Sequence, residues 1–425
     1  MEPAFSTWGA LAGLAFAIVL IFRHIVPAAY ALVLGAFLGG VLGGGGLVDT
    51  VSSMISGSQA MMPSVLRILA SGVLVGALVK TGSAAKLADA IVAGCGTRFA
   101  LVAVALATLI VTAVGVFVDI AVITVAPIAL AVGRRAGIPV PALLVAMVGG
   151  GKAGNVISPN PNTIAVAEAF KLDLTTVMAA NLVPALAGLV MTVFLSTWLA
   201  KRKLKSKVEV EQGTFDSTVQ PSTFNLQPSP LQAALGPLVV VGLLSLRPLC
   251  GLVVDPLVAL PAGGLVTLVA CGQARQSAQF AEFGMSMVLG VAILLIGTGT
   301  IAGIVKGSGL NGDMIRLLHA CHLPVFALAP VSSILLGAAP ASTTAGVTIA
   351  SQTFAGALVE AGVPAVPAAA MLHAGGTAFD SLPHGSFFHA TGGAVFMSIR
   401  DRLKLIPYEA LVGLSTTLVA VLLSL

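Results

Sequence analysis

From Phe99 to Gly133 the chain runs for 35 residues with a single charged side chain, Asp119, and segments of this kind recur along its whole length. Further apolar runs occupy 5–22, 25–45, 63–79, 141–170, 174–200, 231–246, 251–271, 283–305, 322–360, 364–398 and 408–425. Only 9% of the residues are charged and 57% are hydrophobic, whereas a soluble domain carries roughly 25% charged residues. Such a chain cannot clothe a water-facing surface. A soluble enzyme is excluded, and so is a disordered or fibrous protein. A transmembrane helix needs about 20 apolar residues, while barrel strands read as short alternating segments. These runs are long and unalternating, so the sequence predicts an all-α polytopic membrane protein.

The net charge of +5 does not point to nucleic acid, because basic residues in a membrane protein chiefly mark its cytoplasmic loops. Cys95, Cys250, Cys271 and Cys321 are scattered without metal-ligand spacing, and read as small hydrophobes. No cofactor and no metal are expected. The first apolar run follows Glu2 with no basic segment before it, which argues against a cleaved signal peptide.

The polar stretch 201–230 divides the chain, and the two sides match. Val79-Lys80-Thr81-Gly82-Ser83 recurs as Val305-Lys306-Gly307-Ser308-Gly309 at an offset of 226. Ala136-Gly137-Ile138-Pro139 recurs as Ala361-Gly362-Val363-Pro364 at 225, and Ser158-Pro159-Asn160-Pro161 falls on Leu382-Pro383-His384-Gly385 at 224. The sequence therefore predicts a first repeat over 1–200, a cytoplasmic linker over 201–230 and a second repeat over 231–425.

Segments 99–133 and 322–360 are too long for a single span, and each breaks at small or polar residues near its middle. Both read as re-entrant hairpins. Segments 141–170 and 364–398 read as crossings with unwound centres. With the N-terminus outside, the cytoplasmic face receives Arg23, Lys80, Lys86, Arg98, Arg134, Arg135, the cluster at 201–207, Arg275, Arg400, Arg402 and Lys404, as the positive-inside rule asks. Each repeat then has five crossings, one hairpin and one broken helix. Five is odd, so the second repeat is inverted and both termini lie outside. Inverted repeats with broken helices meeting at mid-membrane are the plan of secondary transporters.

The candidate site residues sit at these breaks. The run Gly149 to Thr163 is too rich in Gly, Pro and Asn for a regular helix, and irregular backbone at membrane depth is tolerated only against protein or a wet cavity. Asn155, Ser158, Asn160, Asn162 and Thr163 offer neutral donors and acceptors. The half-helix after Pro161 points a positive dipole end at the cavity, which suits an anion. Lys152 offers a cation to a substrate carboxylate or to a protein acid such as Glu168. The second break contributes Thr377, Asp380, Ser381 and His384, and the hairpin tips contribute Asp119, Ser342, Thr343 and Thr344. Asp119 is either a cap of its hairpin or a cavity acid. Ionisable groups at this depth default to function, so Asp119, Asp380 and His384 are the candidates for proton coupling. A zinc site at His373, Asp380, His384 and His389 is the rival reading, although no specific ligand spacing accompanies it.

Phe117-Val118-Asp119, the run from Gly151 to Thr163 and Asp380-Ser381-Leu382-Pro383-His384-Gly385 resemble the gluconate permease family, within the broader ion transporter superfamily. The resemblance runs through both halves. It departs from the family pattern at Gly385, which follows His384 directly where many relatives place a polar residue. It implies proton symport of a small hydroxy-carboxylate in the cell (inner) membrane: gluconate or a related sugar acid, 3-hydroxybutyrate, or in some members D-serine. It also implies a homodimer amid membrane lipid, with a transport domain that moves as an elevator. A sodium-coupled carboxylate transporter is the alternative, and an intramembrane metal-dependent enzyme is a third reading without a nucleophile motif in its favour.

Overall fold

The computed structural model describes residues 4–23, 25–95, 99–202, 228–309, 313, 316, 324–383 and 385–425. Most of the linker 201–230, and His384, lie outside the described residues. Those residues form helices joined by short turns, and an isolated bridge between Phe5 and Ser308 accompanies them. In the first half these are α1 (Thr7–Phe22), α2 (Ala28–Leu42), α3 (Leu47–Ala60), α4 (Met62–Lys80), α5 (Ser83–Cys95), α6 (Ala100–Ala113), α7 (Val118–Ala136), α8 (Val140–Asn155), α9 (Pro161–Ala169), α10 (Leu174–Ala180) and α11 (Leu182–Lys201). The second half supplies α12 (Pro230–Cys250), α13 (Pro256–Ala270), α14 (Ser277–Lys306), α15 (Leu328–Ala338), α16 (Thr343–Glu360), α17 (Ala365–Gly375), α18 (Ser386–Ala394), α19 (Ile399–Leu403) and α20 (Ile406–Leu422).

Both long segments are helical hairpins, α6–α7 and α15–α16. The first turns at Gly115, whose φ of +113° is open to glycine and strained for other residues. The second turns at Ala341, a non-glycine residue with φ of +50°. Ser342 then caps α16 by accepting the Ala345 N–H at 3.3 Å. Both expected unwound centres are present, over 156–160 between α8 and α9 and over 376–383 between α17 and α18. Helices α3 and α5 fall between the apolar runs named above, because their mixed polarity does not read as a span. By length and composition, four helices suffice to cross a membrane: Met62–Lys80, Leu182–Lys201, Ala274–Lys306 and Ile399–Leu422. Large apolar side chains such as Trp8, Val48, Leu186 and Phe194 stand on the outer surface.

The helices pack as two groups. In one, α4 lies against α14 and α13, with α1, α2 and α3 around α14. Small residues set this spacing: a methyl group on Gly284 would stand 1.8 Å from the carbonyl oxygen of Gly72, so backbone meets backbone. The other group holds both hairpins and both broken helices, together with α10, α11 and α20. Within it the halves interlock, α7 against α18 and α9 against α16. The groups touch through α5, through α4 on α9 and through α14 on α16.

Arg402, counted above among the basic residues of the cytoplasmic face, is buried in the structure and not solvated. Its side chain is 1% exposed and grips Glu409 in a bidentate pair of 2.5 and 3.0 Å. It also donates to Thr391 Oγ1 at 3.1 Å. A charge with a buried carboxylate to hand need not seek the aqueous face.

Candidate functional site

The hairpin tips and the breaks enclose one cavity of about 140 Å³. Phe117, Val118 and Asp119 line it from the first tip, and Pro340 to Thr344 from the second. Asn155, Asn162, Asp380, Ser386 and Phe387 line it from the broken helices. Val118–Asp119, Asn162, Thr343–Thr344 and Ser386–Phe387 belong to the first turns of α7, α9, α16 and α18. Four helix N-termini thus converge on one space. First-turn amides lack intrahelical acceptors, and each N-terminus carries about half a positive charge.

Lys152 is 1% exposed and does not line this cavity. Its ammonium meets Asp380 Oδ1 at 2.7 Å, the Thr377 carbonyl at 2.7 Å and the Glu409 carbonyl at 3.2 Å. Three protons meet three acceptors, so Lys152 has no proton left for a substrate. Glu168, the other acid weighed for it, pairs instead with Arg67 of α4. Asp380 also accepts from Thr343 Oγ1 at 2.5 Å and from Ser381 Oγ at 3.0 Å. The acid of the second break therefore accepts from three side chains, and one of these donors belongs to the second hairpin. Thr377 turns its hydroxyl back to the Ala374 carbonyl at 2.7 Å.

The first break is held by amides. Asn160 Oδ1 accepts the backbone N–H groups of Asn162 at 2.9 Å and Thr163 at 3.1 Å, capping α9 ahead of Pro161 at its first position. Its Nδ2 donates to the Asn155 carbonyl at 2.9 Å and to Asn155 Oδ1 at 2.5 Å. Thr163 Oγ1 donates to the Ser158 carbonyl at 2.6 Å. Ser158, Asn160 and Thr163 thus shape the break without lining the cavity, whereas Asn155 and Asn162 do both.

Asp119 is half-buried at the cavity wall, and among the described residues it accepts one hydrogen bond, from its own neighbour Ile120 N–H at 2.9 Å. A bond to the adjacent residue leaves the hairpin tip uncapped, so the geometry is that of a cavity acid. His373 is fully buried in α17 with neither ring nitrogen bonded, while His389 meets the Pro383 carbonyl at 2.9 Å. Among the described residues, no three His, Cys, Asp or Glu side chains gather as metal ligands.

Sequence reasoning missed the pairings of four charged residues, Arg402 with Glu409 and Arg67 with Asp255. Arg402 and Glu409 stand behind Lys152. Arg67 joins Asp255 of the α13 cap, at 3.1 and 2.7 Å, to Glu168 of α9, beside a second cavity of about 190 Å³. A lone arginine within an apolar helix was the available signal for Arg67.

A polar cavity among interrupted apolar helices is the build of a multi-pass membrane transporter of the secondary class. The chain belongs to the GntP family of permeases, whose model it matches over residues 7–424. It is 50% identical over 417 residues to an uncharacterized transporter of Haemophilus influenzae, spanning 98% of this chain and 97% of that protein. An uncharacterized permease of the same organism is 26% identical over 187 residues, or 44% of this chain and 38% of that one. The fold is similar to the YdaH transporter of Alcanivorax borkumensis, with a TM-score of 0.60 and 18% identity over 88% of this chain and 87% of that one. It is also similar to MtrF of Neisseria gonorrhoeae, of a class of antimetabolite efflux pumps, with a TM-score of 0.57 and 14% identity over 88% and 84% of the two chains. At such identities the likeness speaks for the fold alone.

Proposed function

We propose that this permease is a proton-coupled symporter of a small hydroxy-carboxylate, such as gluconate, a related sugar acid or a 3-hydroxy acid. The observation that carries the reading is the convergence of four helix N-termini on a cavity that also holds Asp119. Backbone dipoles attract the carboxylate, which replaces the free lysine this site lacks. Asp119, without a cationic partner among the described residues, takes the coupled proton. Asp380 is already neutralised by Lys152 and serves instead to tie the second tip to the second break. His384 remains a further candidate for the proton.

The matching order of hairpin, broken helix and terminal helix in the two halves supports an inverted repeat, with 1–200 and 231–425 as the units and 201–230 as the linker. The two packing groups support an elevator, the group of hairpins and broken helices sliding against that of α4 and α14. The protein works in the inner membrane as a homodimer with both termini outside. An anion moved against an inside-negative potential needs co-transported cations, since each charge costs about 2.3 kcal/mol per 100 mV. The deciding experiment is accumulation of radiolabelled gluconate and 3-hydroxybutyrate in sodium-free proteoliposomes under an imposed pH gradient. Wild type accumulates at least one of them, and Asp119→Asn only exchanges it. Accumulation that requires sodium, or that persists in Asp119→Asn, overturns the coupling assignment.

A further inference from the structure

The amides of the first break form a relay whose polarity is fixed at one end. Asn160 Oδ1 accepts two backbone N–H groups, and a backbone N–H is always a donor. The atom that accepts them is therefore the oxygen, and the other terminal atom of Asn160 is the amine. That amine lies 2.5 Å from Asn155, so the Asn155 atom it meets is the carbonyl oxygen. The same oxygen lies 3.2 Å from Asn162, so Asn162 turns its amine towards Asn155. Its own carbonyl oxygen is what remains. No choice of amide rotamer is left open along this chain of donors and acceptors.

Asn162 Oδ1 is buried and has no hydrogen-bond partner. The residue is 2% exposed, sits in the first turn of α9 and lines the cavity beside Asp119, Ser342 and Thr343. An acceptor buried without a donor is unfavourable, and a donor carried by a ligand in the adjoining cavity would relieve it.

We propose that Asn162 is a specificity-determining residue that reads a hydroxyl of the substrate: while the helix N-termini hold the carboxylate, Asn162 Oδ1 accepts the substrate O–H. This rests on the carboxylate reading above and deepens it. The selection it gives is against the deoxy acid. A site built to bond a hydroxyl strands its own buried polar group when the hydroxyl is absent, whereas an apolar pocket cannot reject an added hydroxyl strongly.

The test is equilibrium binding to purified full-length protein with two pairs of probes, 3-hydroxybutyrate against butyrate and gluconate against hexanoate. Wild type prefers the hydroxylated member of at least one pair by about tenfold or more. In Asn162→Ala the preference for 3-hydroxybutyrate falls to within about threefold of unity, and that for gluconate, which carries further hydroxyls, falls by a comparable factor without vanishing. Asn162→Asp keeps an acceptor, so its ratio stays near that of wild type even where both affinities drop. The ratio, unlike affinity, does not move if Asn162 merely shapes the break. An unchanged ratio in Asn162→Ala, or a wild type that binds both members equally, overturns the assignment of Asn162 and leaves the carboxylate reading standing. If wild type binds none of the four acids, the carboxylate reading falls and the hydroxyl reader falls with it.

Discussion

In the first break, between α8 and α9, every described side-chain hydrogen bond is made among Asn155, Ser158, Asn160, Asn162 and Thr163, within nine residues of one another. In the second, between α17 and α18, Asp380 is met by Lys152 of α8 and Thr343 of α16. The same topological feature is neutral and local in one half, ionic and long-range in the other. A neutral break holds its shape alone and can offer a fixed set of atoms to a ligand. The ionic break takes its shape only when α8, α16 and α20 are all in position, so it reports on the assembly of the whole body. The cavity is thus bounded on one side by a preset surface and on the other by a conditional one.

Breaking the ionic side has the largest expected effect. Lys152→Met leaves Asp380 charged and buried, and stability falls by about 3–5 kcal/mol. Adding Asp380→Asn to it returns most of that loss, as read by thermal unfolding in detergent. Strict additivity of the two substitutions would mean that the second break does not depend on Lys152. On the neutral side, Asn160→Ala removes the α9 cap and costs about 1–2 kcal/mol, with no compensation from any change in α16 or α20. Coupling to a distant residue in a double-mutant cycle would show the first break to be as conditional as the second. Ser342→Ala, which uncaps α16 at the second tip, costs about 1 kcal/mol and adds to the loss in Asp380→Asn less than independently, since Thr343 follows it directly. Independent losses would separate the tip from the break. Asp119→Asn is the mildest for the fold, within about 0.5 kcal/mol, because no other described residue leans on it. A larger loss in unfolding measurements would reveal a structural duty and weaken its assignment to the proton.

The places where helices stop were legible, because stopping is a local event. Gly115 and the run Ala339 to Ser342 cannot continue a helix, and Asn160 before Pro161 announces a new one. What a buried charge meets is not local. Lys152 and Asp380 stood out as costly residues at depth, yet nothing in the spacing says that they cancel one another. Arg402 shows the same limit: counting basic residues by loop treats each as solvated, whereas this one is buried against Glu409 seven residues on. Helices α3 and α5 escaped because their burial comes from neighbours, such as α14 and α6, and not from their own hydropathy. At the cavity, the dipole of α9 was legible from Pro161, but the meeting of four such ends needed the fold.

Lys152 and the Thr377 carbonyl that accepts from it lie 225 residues apart in the chain. At translation rates of about 5–20 residues per second, the ribosome needs about 10–45 s to make the second after the first. For that interval α8 carries a lysine whose partners do not yet exist, in a membrane that penalises an unpaired ammonium. The order of synthesis therefore leaves the last turn of α8 in contact with water until the second broken helix arrives. Nascent chains arrested before Thr377, carrying Ala153→Cys, should react with a water-soluble maleimide, and chains arrested after α20 should not. Equal protection at both lengths would mean that α8 settles without its partners.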